Sequence, residues 1–508
     1  MEKLLRENLP AMWLAAMQQP DFRTLNDFRG VRMKALMDEL FETMIHRLLA
    51  ENYITMDNYF LDGTKIEADA NKYSFVWKKS TLRFEEKLRE KVQATLAHIH
   101  ALTAQEAGEY VPVQADQLLA KLEEAAAVLE EKVEAFTERL AQTSDVKTRK
   151  ALRKERSSLK QPLKQFREDF LPRLAKYEQQ KALFGDRNSY SKTDPDATFM
   201  RMKEDHMKNG QLKPGYNVQM ATENQFILFY SLHQRPTDTR CFLPHMEQLA
   251  ASTLPMPKIV IADAGYGSEE NYLYALGEEK KPRFDFLIPY GSYMKEQTRR
   301  YQKDIRHASN WQYEELDDRF ICPNGRYVGF KKYQTKKNAS GLEQSFKIYE
   351  CEDCSNCPFK PDCTKAKGNR QVHWNPIWEE LKAKAKNALE DDEKSAIYAR
   401  RKVEVESVFG HIKGNRSFRR FSLRGLDKVH TEFGIVALAH NLLKVAGIRL
   451  APFLEKNKRK NGERENVYFL VHHFYFRAYW TAPSSYDGSL KKTFKQQRNL
   501  FQSTNNHA

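Results

Sequence analysis

Residues 258–267 read KIVIADAGYG, an apolar run that ends on Asp263 and passes into a glycine-rich turn. The apolar run predicts a buried strand, and Ser268 or Glu269 then opens a helix that runs to Leu276. An acidic residue at the carboxyl end of such a strand is typical of sites in α/β sheets. A phosphate-binding loop is the weaker alternative, because the pattern GxxxxGK[ST] is absent.

A second predicted strand carries an acidic residue in its middle. Residues 59–66 read YFLDGTKI, in which Asp62 interrupts the apolar run. A carboxylate inside a buried strand costs several kcal/mol unless it is paired or bound to a metal. The alternative is a strand end at which Asp62 starts a turn with Gly63. Residues 67–79 follow with aromatic residues between lysines and asparagine, a composition that suits base stacking and phosphate contacts.

A basic segment near the C-terminus is predicted to be helical. Residues 397–426 read IYARRKVEVESVFGHIKGNRSFRRFSLRGL. Apolar residues at near-helical spacing give a stripe made of Val403, Phe409, Ile412 and Phe418. Glu406 and Lys413 are two helical turns apart and are expected to share a face, surrounded by arginine and lysine. This suits a metal site that acts on a polyanion; the alternative is a basic surface helix in which Glu406 only forms an ion pair.

Composition favours a nucleic-acid partner. The chain has 508 residues and a net charge of +15, with an isoelectric point near 9.2, and its basic runs concentrate in the C-terminal half. No run of eighteen apolar residues occurs, so no membrane-spanning helix and no membrane association are predicted. Residues 1–17 are expected to form an amphipathic helix and not a signal peptide. The clustered cysteines of an unsecreted basic chain indicate reduced thiols in a cytoplasm.

Four cysteines have the spacing of a metal knuckle, C-x2-C-x2-C-x5-C, and are Cys351, Cys354, Cys357 and Cys363. Four thiolates suit a structural Zn²⁺ ion, and Cys322 is an alternative ligand for one of them. The pattern also occurs in iron–sulfur ligation, but the polar, basic surroundings favour zinc.

The remaining segments are predicted as helical or irregular. Residues 1–55 are expected to be helical, with Leu36, Leu40, Met44 and Leu48 repeating every four residues. Residues 81–183 show apolar residues in steps of three or four and predict a helical hairpin or short antiparallel coiled coil, broken near residues 143–145. The hairpin is expected to act as a spacer or dimerisation arm, without catalytic chemistry.

The order of these elements predicts an α/β fold with an RNase H-like mixed sheet flanked by helices. In that fold the first and fourth strands are neighbours and a late helix crosses near their ends. Asp62, Asp263 and Glu406 would then meet, and three carboxylates can hold two Mg²⁺ or Mn²⁺ ions. The predicted domains are residues 1–55 as a helical, incomplete DNA-binding region; 56–80, 184–291 and 376–447 as the core; 81–183 as the helical insertion; 292–375 as the Cys-rich insertion; and 448–508 as a basic linker and tail.

These motifs together resemble the DDE transposases of bacterial insertion sequences. The resemblance extends over about residues 20 to 445 and rests on residues 60–68 (FLDGTKIEA), 262–266 (ADAGY) and 405–413 (VESVFGHIK). It implies that Asp62, Asp263 and Glu406 are the catalytic, metal-binding triad.

The same resemblance implies a DNA-binding set on the basic segment. Tyr398, Arg401 and Lys413 match the family's Tyr-Arg-Glu-Lys signature, and the neighbouring Arg416 and Arg420 complete the set. Arg401 lies five residues before Glu406, where much of the wider superfamily has four, so Lys402 is the alternative.

The function expected from the resemblance is DNA transposition. The triad with Mg²⁺ would nick the insertion-sequence ends and then activate the freed 3′-hydroxyl to attack target DNA. The expected partners are double-stranded DNA, as transposon ends and target, and a second copy in a homodimer; the expected location is the bacterial cytoplasm, at the nucleoid. The alternatives are a truncated, catalytically inactive zinc-bearing DNA-binding remnant and an RNase H-like nuclease without strand transfer.

Overall fold

The computed structural model describes residues 1–103, 117–202, 210–277, 281–338 and 340–461. Its chain is mixed α/β, as the sequence predicts, and about half of it is helical. Residues 1–440 form one compact unit, and residues 441–508 form a second. Of the predicted tail, residues 448–461 continue the last helix, and residues 462–508 lie outside the described residues.

The strands are β1 (Asn58–Glu67), β2 (Phe75–Trp77), β3 (Ser189–Ser191), β4 (Thr198–Arg201), β5 (Leu212–Glu223), β6 (Phe226–His233), β7 (Ile259–Ile261), β8 (Asp285–Leu287), β9 (Gln312–Glu314), β10 (Arg319–Ile321), β11 (Tyr327–Lys337), β12 (Glu343–Cys351) and β13 (Gln371–Trp374). The helices are α1 (Glu2–Glu7), α2 (Leu9–Leu14), α3 (Phe22–Asp27), α4 (Met33–Ala50), α5 (Lys78–Thr103), α6 (Leu118–Gln142), α7 (Val146–Gln165), α8 (Leu171–Phe184), α9 (Phe242–Ala251), α10 (Glu269–Leu276), α11 (Tyr293–Glu296), α12 (Arg299–Gln302), α13 (Lys360–Cys363), α14 (Pro376–Glu390), α15 (Asp392–Ala399), α16 (Ser407–Gly410) and α17 (Leu426–Asn461). Wider π-helical turns occupy Phe28–Arg32, Phe166–Phe170, Lys402–Glu406 and His411–Asn415.

The larger sheet has six strands and is centred on β1. Its order is β4-β5-β1-β7-β8, and β6 pairs with β5. The β1–β5 and β5–β6 pairs are antiparallel, whereas β1–β7 and β7–β8 are parallel. Residues 59–64 of β1 are all buried, because helices and neighbouring strands cover both faces of a central strand.

Helices α4 and α17 cover one face of this sheet at Tyr230 of β6. The Tyr230 ring lies 5.1 Å from that of Phe41 on α4 and 5.3 Å from that of Phe433 on α17. A side chain at Gly434 would overlap Tyr230, so glycine permits this close approach. The buried face of α4 is Met37, Phe41, Ile45 and Leu48.

Of the apolar repeat that the sequence predicts for α4, Leu48 is buried, whereas the buried positions before it are each one residue later than predicted. Leu36 and Leu40 are each 45% exposed. A step of four residues drifts around an α-helix with 3.6 residues per turn, so the repeat alone does not fix which neighbouring stripe is buried.

One helical segment, Leu426–Pro452 in α17, is long and apolar enough to cross a membrane by length and composition alone. The prediction of no spanning helix rested on uninterrupted apolar runs, which this segment lacks. A mostly buried core helix passes the same test; here Val429, Phe433 and Ala437 are buried in the protein core, but only 28% of the apolar window is buried. The segment is thus weak support for a membrane location.

The predicted hairpin region contains four helices, α5 to α8, with their own apolar core. That core includes Leu88 and Val92 of α5, Leu122 of α6 and Phe166 after α7. The break between α6 and α7 lies where the sequence predicts it, since Asp145 caps α7 by accepting from the Thr148 amide at 2.8 Å. The two-stranded β2–β3 sheet joins the ends of this four-helix segment.

Residues 292–375 contain a second sheet that the sequence does not predict. It has five antiparallel strands in the order β13-β12-β11-β10-β9. Most residues of β11 are exposed or half-buried, so the strand lacks the apolar alternation by which strands are recognised. The cysteines lie at the end of β12 and in the residues that follow it.

A series of buried side-chain hydrogen bonds connects β1 and β6 of the main sheet to α9. Tyr59 Oη lies 2.7 Å from His245 Nε2, and Ser231 Oγ lies 2.6 Å from His245 Nδ1 and 2.7 Å from His233 Nε2. Burial lowers the pKa of His245 well below its ordinary value and lowers the pKa of His233 to about 4. Both imidazoles are therefore neutral in the folded protein at pH 7.

This chain of hydrogen bonds predicts acid-sensitive stability. Below an unfolded-state pKa near 6.5 the unfolded chain binds protons that the folded chain excludes, so the free energy of unfolding falls as pH drops from 6.5 toward 4. His233 alone should contribute about 3 kcal/mol of this loss by pH 4. Urea unfolding at several pH values measures it, with His233→Gln as the control: the variant should have a shallower pH dependence, and equal slopes would contradict the assignment.

Candidate active site at the end of the first strand

Two predicted site residues are positioned by neighbouring parallel strands, Asp62 within β1 and Asp263 just after β7. Asp62 is in the middle of β1 and only 6% exposed. Phe60 of β1 is opposite Ile261, the last residue of β7, and Asp263 follows two residues later. Asp62 and Asp263 each lie two residues beyond the last β1–β7 pair, and the charges of both raise the pKa of Tyr266, so the two acids lie in the same region at the carboxyl end of β7.

A tight turn holds Asp263 at the end of β7. The Gly265 amide donates to Asp263 Oδ1 at 2.8 Å, and the Tyr266 amide donates to the Asp263 carbonyl at 3.1 Å. A Cβ atom at Gly265 would lie 2.8 Å from the same carboxylate oxygen, which favours glycine there. Ser268 then caps α10 by accepting from the Asn271 amide at 3.2 Å. The predicted strand, turn and helix are all present.

Glu406 lies across from β1, and Arg401 connects the two. Arg401 Nη1 lies 3.8 Å from Asp62 Oδ2, and Arg401 Nη2 lies 3.7 Å from Glu406 Oε1. The arginine side chain is 16% exposed, while that of Glu406 is 53% exposed. A guanidinium group thus lies between two of the three predicted carboxylates.

Tyr398 interacts electrostatically with both Arg401 and Asp263. Burial raises the pKa of Tyr398, Arg401 lowers it, and the charge of Asp263 raises it further. Tyr398 is therefore within electrostatic range of both residues. The structure brings Asp62, Arg401 and Glu406 into direct proximity, and the pKa of Tyr398 responds to both Arg401 and Asp263.

The helical segment that carries Glu406 is not a regular α-helix. Residues 402–406 and 411–415 form π-helical turns on either side of α16. The wider turns change which residues face the core: Val403 is 61% exposed, whereas Val405 and Val408 are buried. For the same reason Glu406 is largely exposed while Lys413 is buried, contrary to the shared face that regular helical spacing predicts.

The adjacent Glu404 has a structural role. Its side chain is buried, accepts from the Gln225 amide at 2.7 Å and pairs with Arg400 at 2.9 Å. These contacts hold the π-helical turn against the loop between β5 and β6.

The predicted DNA-binding cations differ in their exposure. Lys413 Nζ donates to the Lys65 carbonyl at 2.8 Å, so this lysine contacts the backbone of β1. Arg420 is exposed and pairs with Asp69 at 3.0 Å, and Arg416 is half-buried after the second π-helical turn. Arg401 therefore lies at two of the carboxylates, Lys413 at the backbone of Lys65 in β1, and Arg420 at Asp69 beyond the end of β1.

Asp238 is a fourth acidic residue at this site, and no sequence motif pointed to it. Asp238 accepts hydrogen bonds from the side chains of Asn217 at 2.7 Å and Gln219 at 3.0 Å. Burial raises the pKa of Tyr266, and the charges of Asp238 and Asp62 raise it further. Tyr266 in turn donates to the Gln219 side chain. This network joins β5 to the turn after β7; it depends on strand register, which a loop aspartate alone does not reveal.

The thiols of the Cys-rich segment interact with one another and with Cys322. Burial raises the pKa of Cys351 to about 12, with a further contribution from Cys354 and Cys322. Burial also raises the pKa of Cys363, and Cys322, Cys354 and Cys357 add to the effect. The thiols are therefore close enough to affect one another's pKa.

No three His, Cys, Asp or Glu side chains in the described part of the chain lie close enough together to hold a metal ion as they stand. The triad nevertheless has the donors that Mg²⁺ or Mn²⁺ prefers, and two of its members already flank the cationic Arg401. The carboxylate donors are of the type that suits a hard divalent cation, but in this structure Arg401 supplies the positive charge between Asp62 and Glu406, and the Mg²⁺ and Zn²⁺ sites stay predictions.

Comparison with known proteins adds one match. Residues 321–446, about a quarter of the chain, match a family model described as a transposase DDE domain. The matched segment includes Tyr398, Arg401 and Glu406 and excludes Asp62 and Asp263. No curated protein and no solved structure was found to match the chain. The match supports a DDE transposase family and a transposase function, and therefore DNA as a partner.

Gly63 provides a test of the packing behind Asp62. A Cβ atom there would overlap the Asp238 carboxylate and the Gln219 amide, which are hydrogen-bonded to each other. Gly63→Ala should therefore lower the free energy of unfolding by about 1–3 kcal/mol, as overpacking does. Gly30→Ala is the control: nothing lies within 4 Å of its Cβ, so it should be neutral or slightly stabilising. Equal effects in urea unfolding would contradict the packing.

Proposed function

We propose that the chain is a DDE transposase that cleaves DNA at insertion-sequence ends and joins those ends to target DNA. The observation that carries this proposal is the arrangement around Arg401, which lies 3.8 Å from Asp62 and 3.7 Å from Glu406. The parallel β1–β7 pair brings Asp263 to the same edge of the sheet. The transposase DDE match over residues 321–446 supports the same interpretation independently.

We also propose that the core is RNase H-like. In that fold the first and fourth strands are neighbours, and β1 pairs in parallel with β7, which is the fourth strand of the sheet in chain order if the short β4 at the end of the sheet is counted as an addition to the core. The helical segment with Glu406 crosses near the ends of these strands and contacts Asp62 through Arg401. On this view residues 81–183 and 292–375 are insertions into the core.

In the proposed mechanism Asp62, Asp263 and Glu406 hold Mg²⁺ or Mn²⁺. When bound, such ions stabilise the attacking and leaving oxygens of an in-line phosphoryl transfer. Arg401 balances the charge of the carboxylates and offers a guanidinium fork that suits a phosphate of the cleaved strand. Tyr398, largely buried beside Arg401, orients that side chain.

Duplex DNA is the proposed partner at this site. Tyr398, Arg401, Lys413, Arg416 and Arg420 are the proposed contacts, and the net charge of +15 favours a polyanion. We further propose a homodimer in the active complex, so that two copies act on two ends, and a bacterial cytoplasmic location at the nucleoid.

The triad can be tested by isosteric substitution. Asp62→Asn, Asp263→Asn and Glu406→Gln should each lower Mg²⁺-dependent nicking of end-containing DNA by more than about 100-fold, because each removes a charged ligand from the proposed ion site. Binding of the same DNA should persist. A plasmid nicking assay and a gel-shift assay measure the two properties on the same preparations.

Asp57→Asn is the matched control for this test. Asp57 immediately precedes β1 but forms a surface ion pair with Lys258 at 2.7 Å, away from Arg401. The control should nick at the parental rate. Parental nicking by any triad variant would remove that residue from the mechanism, and DNA binding without nicking by the unmodified protein would favour the inactive DNA-binding remnant. Nicking without end joining would favour a nuclease.

We propose that the thiols bind structural Zn²⁺ through Cys351, Cys354, Cys357 and Cys363, with Cys322 as the alternative to one of them. The mutual effect of these thiols on each other's pKa supports the proposal. Zinc would replace their protons, since thiolates are the ligands. The ion would close the loop after β12, and with Cys322 as a ligand it would tie that loop to the β10–β11 turn.

The zinc proposal predicts about one ion per chain by elemental analysis of protein purified without chelators. Cys354→Ser should lose the ion and lower the thermal midpoint. Cys241→Ser is the control, because Cys241 is buried in the main core and donates to the Thr237 carbonyl at 3.2 Å. A substoichiometric metal content in the parental protein would end the proposal.

A further inference from the structure

Helix α7 has an unusual excess of positive charge. Its twenty residues include eight lysines and arginines and one acidic residue, Glu155. Its partner helix α6 has the opposite balance, with six glutamates against three basic residues. Helices exposed only to water usually interleave the two signs, because opposite charges one turn apart stabilise a helix.

Four of these cations form one stripe. Arg149, Arg153, Lys160 and Lys164 are separated by four, seven and four residues, which is one, two and one helical turns. All four are exposed, whereas Leu159 of the same helix is buried in the core that α7 shares with α6. At 1.5 Å per residue the stripe is about 22 Å long.

Most of the positive charges in this stripe have no ion-pair partner in the described part of the chain. Among the described residues Arg149, Arg153 and Lys160 form no ion pair, and Lys164 has only the exposed Glu168 at 3.7 Å. Like charges at one-turn spacing destabilise a helix, and no contact among the described residues of α5 to α8 compensates for the stripe. A row of exposed cations fits an external polyanion.

Duplex DNA matches this row in charge and in length. One strand of B-DNA carries a phosphate every ~3.4 Å along the axis, so about six phosphates lie along the stripe. Arginine and lysine on a rigid helix contact phosphates without reading sequence. The helices α5 to α8 have their own apolar core, which gives α7 a firm support separate from the carboxylates.

We propose that the outer face of α7 binds the phosphate backbone of duplex DNA, outside the cleavage site. This goes beyond the spacer role expected for the helical insertion. It rests on the proposed function only for the choice of DNA as the polyanion. The stripe adds affinity and holds DNA that flanks the cut, while Asp62, Asp263 and Glu406 act on the scissile phosphate.

The test is the salt dependence of binding to a 40-base-pair duplex of arbitrary sequence. Each lost phosphate contact reduces the slope of log Kobs against log salt concentration by about 0.9. The variant Arg149→Gln/Arg153→Gln/Lys160→Gln/Lys164→Gln should therefore show a slope smaller by about 3.6 and binding at least about tenfold weaker at 0.1 M salt. Glutamine keeps the helix propensity of lysine and arginine, so the helix is retained.

The matched control removes four units of positive charge elsewhere. Lys121, Lys258, Arg306 and Lys386 are exposed and paired with acids of their own, so changing all four to glutamine should alter the slope by less than about 1. The double variant Arg149→Gln/Arg153→Gln should give about half of the full stripe effect. Circular dichroism confirms folding of each variant.

Equal slopes for the stripe and control variants would overturn the proposal. The outcome is separate from that of the triad test, because it is read from binding and not from nicking. Intact nicking with unchanged stripe binding would reject the α7 surface alone, and absent nicking with a reduced stripe slope would retain it.

Discussion

A carboxylate in the middle of a central strand is the constraint on which the site depends. Asp62 is almost fully buried in β1, and an ionised group in such a place must have a compensating charge nearby. Arg401 supplies that charge at 3.8 Å and extends it to Glu406. This pairing holds the helical segment after α15 near the carboxyl end of β7, which Asp263 follows.

The backbone of that segment is adapted to this contact. Two π-helical turns flank α16, and they bury Val405, Val408 and Lys413 while they leave Glu406 at the surface. Glu404 fixes the first turn through Gln225 and Arg400, and Lys413 fixes the second through the Lys65 carbonyl. The π-helical turns depart from regular helical spacing, and with this backbone the Glu406 carboxylate lies beside β1.

Two other parts of the chain have apolar clusters of their own. The helices α5 to α8 have their own apolar core, and the second sheet packs Phe320, Tyr349 and Val372 around the cysteines. Because each unit buries its own apolar residues, its outer surface can vary without disturbing Asp62. The outer face of α7 is accordingly basic and the loop after β12 carries thiols, whereas the site at β1 carries carboxylates.

The sequence by itself determined the α/β character, the two strands that carry Asp62 and Asp263, and the turn and helix after β7, because apolar runs and glycine are local signals. It did not determine the second sheet, whose main strand β11 is largely exposed, or the stripe that α4 buries. Only the tertiary structure decided that Arg401 lies between Asp62 and Glu406 and that Asp238 joins Gln219 and Tyr266. Those contacts depend on strand register and on the wider helical turns, and both arise from packing between residues far apart in the chain.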